Sequence, residues 1–405
     1  MRITFFTNFI NHHQVPLADE LYKILGDQYK LVSFEPIPDE FLKRGYYDFS
    51  DKPYHIKGYL CKNSELVKYL ARESDVLLHG AAPEEWVAYR LTFNKTTIRY
   101  GERLIKLVDS SLLNPKYWKT KIDLHTKYRN AQLFMLGASG YNRFDSNIIF
   151  AYPNKVYRWG YFTKMNDIDI DEVLVNKRGE LVNILWVGTI SDVKRPDLVP
   201  KLASQLKRSN YNFHIDMIGS GVLEPKIRNL IDKLNVSDCI SMLGNVPNDN
   251  VLQRMQDCNI FIFTSHYGEG WGAVINEAMS NGCAVVCSKA VGAAPFLIKN
   301  NYNGLLFKSG SSKDLFQKVS TFIENADFRE QCAKNAYITM RDVWSPKVAA
   351  KNFIQLCHDL ITGSQSNIPY GPCSIAPLIL PNLNPFPFMK KIIRRIFTGK
   401  SLSSI

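Results

Sequence analysis

Short apolar runs recur along this chain, each followed by a stretch of helical periodicity, and the pattern occurs twice. In the first half, Arg2–Thr7, Asp75–Leu78 and Thr97–Tyr100 read as strands, with helices predicted over Gln14–Ile24 and around Ser64–Arg72. In the second half, Val182–Val187, Phe213–Ile218, Asn259–Phe263 and Ala284–Cys287 read as strands. Helices are predicted there over Pro196–Lys207, Ala273–Ser280, Lys313–Glu324, Asp327–Met340 and about Pro346–Ile361. Such alternation argues for parallel sheets covered by helices, an α/β fold with two Rossmann-like domains. The polar, aperiodic stretch 164–180 reads as their linker, which leaves domains 1–163 and 181–362. From 363 to 405 repeated prolines interrupt any regular element and leave a basic tail. Two such domains place a ligand at the carboxyl ends of their strands, in the cleft between them.

Composition narrows the choice of ligand. Eight cysteines occur with no Cys-x-x-Cys pair, and no histidine cluster stands at zinc spacing, so no metal site is signalled and the thiols read as buried ones in a reducing compartment. No apolar window reaches the roughly 18 residues of a membrane span, and Met1 leads directly into a strand. The expectation is a cytoplasmic protein, or one held peripherally on the inner face of the cell membrane. A net charge of +12 attracts phosphates of nucleotides, nucleic acid or lipid. No acid follows Asp359, while Lys390, Lys391, Arg394, Arg395 and Lys400 cluster. Phe388-Met-Lys-Lys-Ile-Ile-Arg-Arg-Ile-Phe397 sets apolar and basic pairs on opposite helical faces, so segment 388–400 is expected to bind an anionic membrane surface. With the basic surplus gathered there and no nucleic-acid motif, nucleic acid is not the expected partner.

The chemistry concentrates in Phe263-Thr-Ser-His-Tyr-Gly-Glu-Gly-Trp-Gly-Ala-Val-Ile-Asn-Glu-Ala-Met-Ser-Asn-Gly282. A strand ends at Phe263, a loop carries Gly268, Gly270 and Gly272, and a helix follows. Glycines let backbone N–H groups approach a ligand, and the positive end of the helix points at it, so the turn reads as a phosphate cradle. A carboxylate beside a phosphate repels it, so Glu269 and Glu277 need another task. Their paired oxygens suit sugar hydroxyls: Glu277 could hold a ribose and Glu269 a transferred sugar. The competing reading is a glycine-rich turn with two solvated acids.

This block resembles the Glu-x7-Glu motif of family-four glycosyltransferases of GT-B architecture. Asn183-Ile-Leu-Trp-Val-Gly-Thr-Ile-Ser-Asp-Val-Lys-Arg-Pro-Asp197 is similar to that family's first donor-domain strand and loop. Met217-Ile-Gly-Ser-Gly221 and Met242-Leu-Gly-Asn-Val246 are similar to its nucleotide-side loops. The resemblance covers about 180–345 and is weaker over 1–160. It implies a retaining transferase that takes a UDP- or GDP-linked sugar as donor, with no metal or cofactor, and a final helix crossing back to the first domain. It implies donor contacts at Gly188, Thr189, Lys194, Arg195, Gly219, Val246, Gly270, Trp271, Gly272 and Glu277, with Lys194 neutralising the departing diphosphate and Glu269 in a catalytic role. Thr189 stands where the family has Arg, so Arg195 is the cation left to compensate, and Phe296 stands where the family often has Glu.

The first domain would take the acceptor, a saccharide or lipid-linked saccharide of surface-polysaccharide assembly. The resemblance points to His13 at the first helix start and to His79 near the reacting carbon. Glu102 and Arg103, after another strand, could contact the acceptor or pair with each other. The aromatic cluster Tyr157-Arg-Trp-Gly-Tyr-Phe162 could stack on a sugar, though such clusters more often serve domain packing. The alternatives are a GT-B-type sugar-nucleotide epimerase, a hydrolase using the two glutamates, and a basic nucleic-acid-binding protein.

Overall fold

The apolar runs build two sheets whose strands all run parallel. A computed structural model describes residues 1–39, 42, 47–105 and 114–381. The first sheet holds β1 (Ile3–Thr7), β2 (Tyr29–Ser33), β3 (His55–Lys57), β4 (Val76–His79), β5 (Thr97–Gly101), β6 (Leu133–Gly137) and β7 (Val156–Arg158), in the order β3-β2-β1-β4-β5-β6-β7. The second holds β8 (Val182–Val187), β9 (Phe213–Ile218), β10 (Ile240–Gly244), β11 (Ile260–Phe263), β12 (Ala284–Ser288) and β13 (Leu305–Phe307), in the order β10-β9-β8-β11-β12-β13. Central strands such as β11, Ile-Phe-Ile-Phe, are buried along their whole length because helices cover both faces. Strand order reverses between β1 and β4 and again between β8 and β11. At such a reversal, neighbouring loops diverge to opposite faces and leave a crevice at the strand ends.

The expected linker is in part an element of the second domain. Its acidic residues start helix Ile170–Asn176, where the Asp169 carboxylate accepts the Asp171 and Glu172 N–H groups. Lys177 then buries its ammonium on three carbonyls, Met255 O (3.0 Å), Asn281 O (3.2 Å) and Gly282 O (2.6 Å).

Helix Pro346–Thr362 crosses back to pack on helix Val15–Leu25 of the first domain, with Phe353 5.5 Å from Trp159 between ring centroids. The tail boundary expected at 363 is also corrected. The Arg158 N–H donates to Ser374 O, the Cys373 N–H donates to Arg158 O, and Ile375 bridges Tyr157 in antiparallel sense. Residues 371–376 thus close the β7 edge of the first sheet. A single hydrophobic cluster runs through both domains, joining Phe5, Trp159, Phe263, Trp271 and Phe353.

Candidate functional site

Both crevices open toward the same space, and the second domain's side of it is built from the loops after β8 and β11. The first loop leaves β8 at Gly188 and packs on Gly219 at the end of β9, so closely that a β-carbon on Gly219 (φ +127°) would lie 2.0 Å from Gly188 O. It is tied to β11 by Thr264, whose hydroxyl donates to Lys194 O (2.6 Å) and accepts the Trp186 indole N–H (2.9 Å). His266 N–H donates to Val193 O (3.0 Å). Held this way, Lys194 extends across Gly188 and places Nζ 2.6 Å from Glu269 Oε2. Both side chains are partly accessible, at 21% and 13%.

The glycine loop continues from Glu269 into helix Val274–Ser280. Gly272 (φ +93°) adopts a conformation that glycine alone takes easily, and a β-carbon there would meet the Phe263 ring at 2.8 Å. Glu277 lies on the first turns of this helix, and no described residue hydrogen-bonds its carboxylate. Burial pushes that carboxyl up from its ordinary 4.5 to about 7. A half-buried carboxylate without a donor is an acceptor held ready for ligand hydroxyls.

The first domain faces this loop with Glu102. Its Oε2 lies over Gly270, 1.7 Å from where a β-carbon would stand, and Oε1 accepts the Tyr161 hydroxyl at 2.9 Å. Tyr161 stacks on His13 at 5.4 Å. Burial and the neighbouring His12 push the His13 imidazole down to about 3, so it is neutral, and its Nδ1 is buried with no partner. Glu102, Glu269 and Glu277 thus gather at one loop, with His13 behind Glu102 on Tyr161.

Other expected residues lie elsewhere. His79 is 1% exposed with Nε2 3.1 Å from Pro83 O at the end of its strand. Arg103 does not pair with Glu102; it makes a buried, two-pronged ion pair with Asp145 (2.7 and 3.1 Å) inside the first domain. Arg195 is held by both oxygens of Asp197 (2.8 and 3.0 Å), and Thr189 is exposed. The Trp271 indole is 0% exposed and donates to Asn276 Oδ1 (2.9 Å), so only its backbone can serve a ligand. Phe296 is buried and stacks with Trp344 at 6.0 Å. Val246 is half-buried at the core edge. Segment 388–400 lies outside the described residues.

Two contacts across the crevice had no signal in the sequence. Gly140 N–H donates to Gly292 O at 2.8 Å, and the Tyr141 hydroxyl donates to Lys289 O. They latch the loop after β6 to the loop after β12.

Residues 168–339 match the family model for glycosyl transferases group 1. An uncharacterized glycosyltransferase of Methanocaldococcus jannaschii is 32% identical over 40% of this chain and 44% of its own length. A Campylobacter jejuni enzyme, an N-acetylgalactosaminyltransferase acting on a diphospho-undecaprenol-linked saccharide, is 29% identical over 36% of this chain and 39% of its own. The chain therefore matches less than half the length of these relatives. Among solved structures, Anabaena HepE in complex with UDP covers 89% of this chain and all of its own, with a TM-score of 0.67 at 15% identity. A Rickettsia africae glycosyltransferase covers 90% of this chain and 99% of its own, with a TM-score of 0.63 at 14% identity. The two facing sheets are the GT-B arrangement.

Proposed function

We propose that this chain, with a group 1 glycosyl transferase domain over 168–339 on a GT-B scaffold, is a retaining glycosyltransferase. It moves a sugar from a nucleotide sugar to a saccharide acceptor in surface-polysaccharide assembly. The observation that carries this reading is Glu277, a carboxylate without a hydrogen-bond partner among the described residues, on the helix that leaves a glycine loop at a topological switch point. Diphosphate on the backbone of Gly270–Gly272 brings the ribose hydroxyls to Glu277 and the sugar to Glu269. Lys194 faces the negative charge that grows on the departing diphosphate. The leaving oxygen takes the acceptor's proton, so the chain needs no nucleophile of its own. UDP is the first nucleotide to test, because HepE was crystallised with it. A lipid-linked acceptor is the first to try, given the Campylobacter relative.

The test is a thermal-shift panel of UDP-, GDP-, ADP- and dTDP-sugars on the wild type and Glu277→Ala. A ligand at 100 times its Kd stabilises by about 2.7 kcal/mol. One nucleotide sugar should raise the melting temperature of the wild type and leave the variant unmoved. If none does so at millimolar concentration, the reading fails. Product analysis with acceptor present separates transfer from donor hydrolysis, and NMR of the new linkage reads the anomeric configuration. An inverted product would refute the retaining mechanism.

A further inference from the structure

Helix Pro115–Leu124 buries none of its residues. From Asn114 to Arg129 the chain carries Lys116, Lys119, Lys121, Lys127 and Arg129 against the single acid Asp123. Among these charges Ile122 is 48% exposed. The Thr126 hydroxyl donates to Ile149 O, and His125 Nδ1 lies 2.7 Å from the Tyr152 hydroxyl, so the turn at 148–154 abuts the end of this helix. That turn holds Phe150 at φ +52° and 71% exposed. A bulky side chain in the left-handed region is strained, and water gives no return for displaying it.

We propose that this face docks on an anionic phospholipid surface. Phe150 and Ile122 enter the acyl boundary, and the surrounding lysines and Arg129 meet the headgroups. Charge complementarity selects this occupant: basic residues beside exposed apolar ones fit a surface that is anionic outside and apolar beneath. The patch is separate from segment 388–400. The Tyr117 hydroxyl donates to Leu104 O at 3.4 Å, which ties the helix to the segment that follows β5. The docking itself does not depend on which reaction follows.

The experiment uses the full chain and vesicles of phosphatidylglycerol mixed with phosphatidylcholine, with pure phosphatidylcholine as the control. Asparagine tolerates the left-handed conformation far better than phenylalanine. Phe150→Asn should therefore melt at the same temperature as the wild type or higher, yet lose roughly tenfold in binding to the anionic vesicles. Phe150→Trp should keep binding, and the emission of the introduced indole, read as the difference from the wild type, should shift to the blue on anionic vesicles only. Undiminished binding of Phe150→Asn, or a difference emission of Phe150→Trp that anionic vesicles leave unchanged, would overturn the proposal. So would a shift produced by a DNA duplex or by raised protein concentration in place of vesicles, which would assign the face to nucleic acid or to a second copy.

Discussion

The Glu102 carboxylate of the first domain lies so close over Gly270 of the second that a β-carbon on Gly270 would fall 1.7 Å from Oε2. The obstructing atom is the end of a flexible side chain, so Gly270→Ala should fold normally while pushing Glu102 off Tyr161. Turnover should fall in Gly270→Ala and in Glu102→Ala, and the double variant should be little worse than either. Additive losses in the cycle would separate the two residues.

Lys194 and Glu269 come from loops that meet only in the fold, and their ion pair is partly solvated. Replacing either should therefore move stability by less than about 1 kcal/mol. The loss of charge opposite a departing diphosphate is a different matter. Lys194→Met should lower the rate of sugar transfer about a hundredfold or more at saturating donor. A denaturation curve and single-turnover kinetics on the same variant check both halves of this expectation.

Glu277 ties the site to pH. Between its ordinary 4.5 and about 7 the folded chain keeps a proton that the unfolded chain has released. Stability contributed by this group therefore falls as pH rises through that window and is flat above it. Glu277→Gln should gain on the wild type from pH 5 to pH 8, by up to roughly 3 kcal/mol. Donor hydroxyls need the ionised form, so wild-type donor affinity should improve about tenfold from pH 6 to pH 8. Titration calorimetry at the two pH values reads this, and the Gln variant should lack the trend.

The latch between Gly140 and Gly292 leaves no room for a side chain. A β-carbon on Gly140 would meet the Pro295 ring at 2.7 and 2.8 Å. Gly140→Ala should part the two loops without unfolding either domain. Small-angle scattering should show a larger radius of gyration, and turnover should fall with circular dichroism unchanged.

Lys177 buries an ammonium against carbonyls from two helix ends. Lys177→Met leaves those carbonyls without their donor and should cost about 2–3 kcal/mol in urea unfolding. Donor affinity should stay within twofold, since the residue lies at the other end of helix Val274–Ser280.

Strands β1, β4, β5, β8, β9, β11 and β12, the glycine loop and the helix position of Glu277 were legible because each is written in consecutive residues, whereas short or mixed runs such as β2, β3, β6, β7, β10 and β13 were not read as strands. Apolar runs announce buried parallel strands, and the spacing from Phe263 to Gly282 announces a strand, a turn and a helix. What escaped depends on partners far along the chain. Arg103 chose Asp145, 42 residues away, over the adjacent Glu102. Cys258 and Cys283 stand 3.5 Å apart because β11 pairs with β12 in one register, although Cys287 is nearer to Cys283 in sequence. Trp271 looked like a ligand contact because it sits between loop glycines, yet Gly160 leaves room for its ring in the core. The helix at 170–176 was hidden by its brevity and its acidic first turn.

The return of residues 346–376 to the first domain orders events during synthesis. The β7 edge and the outer face of helix Val15–Leu25 are covered by segments that leave the ribosome only after the whole second domain. Until then the nascent first domain carries an open strand edge and an uncovered apolar helix face, both of which invite unwanted pairing. Segments made after the second domain therefore finish the folding of the first.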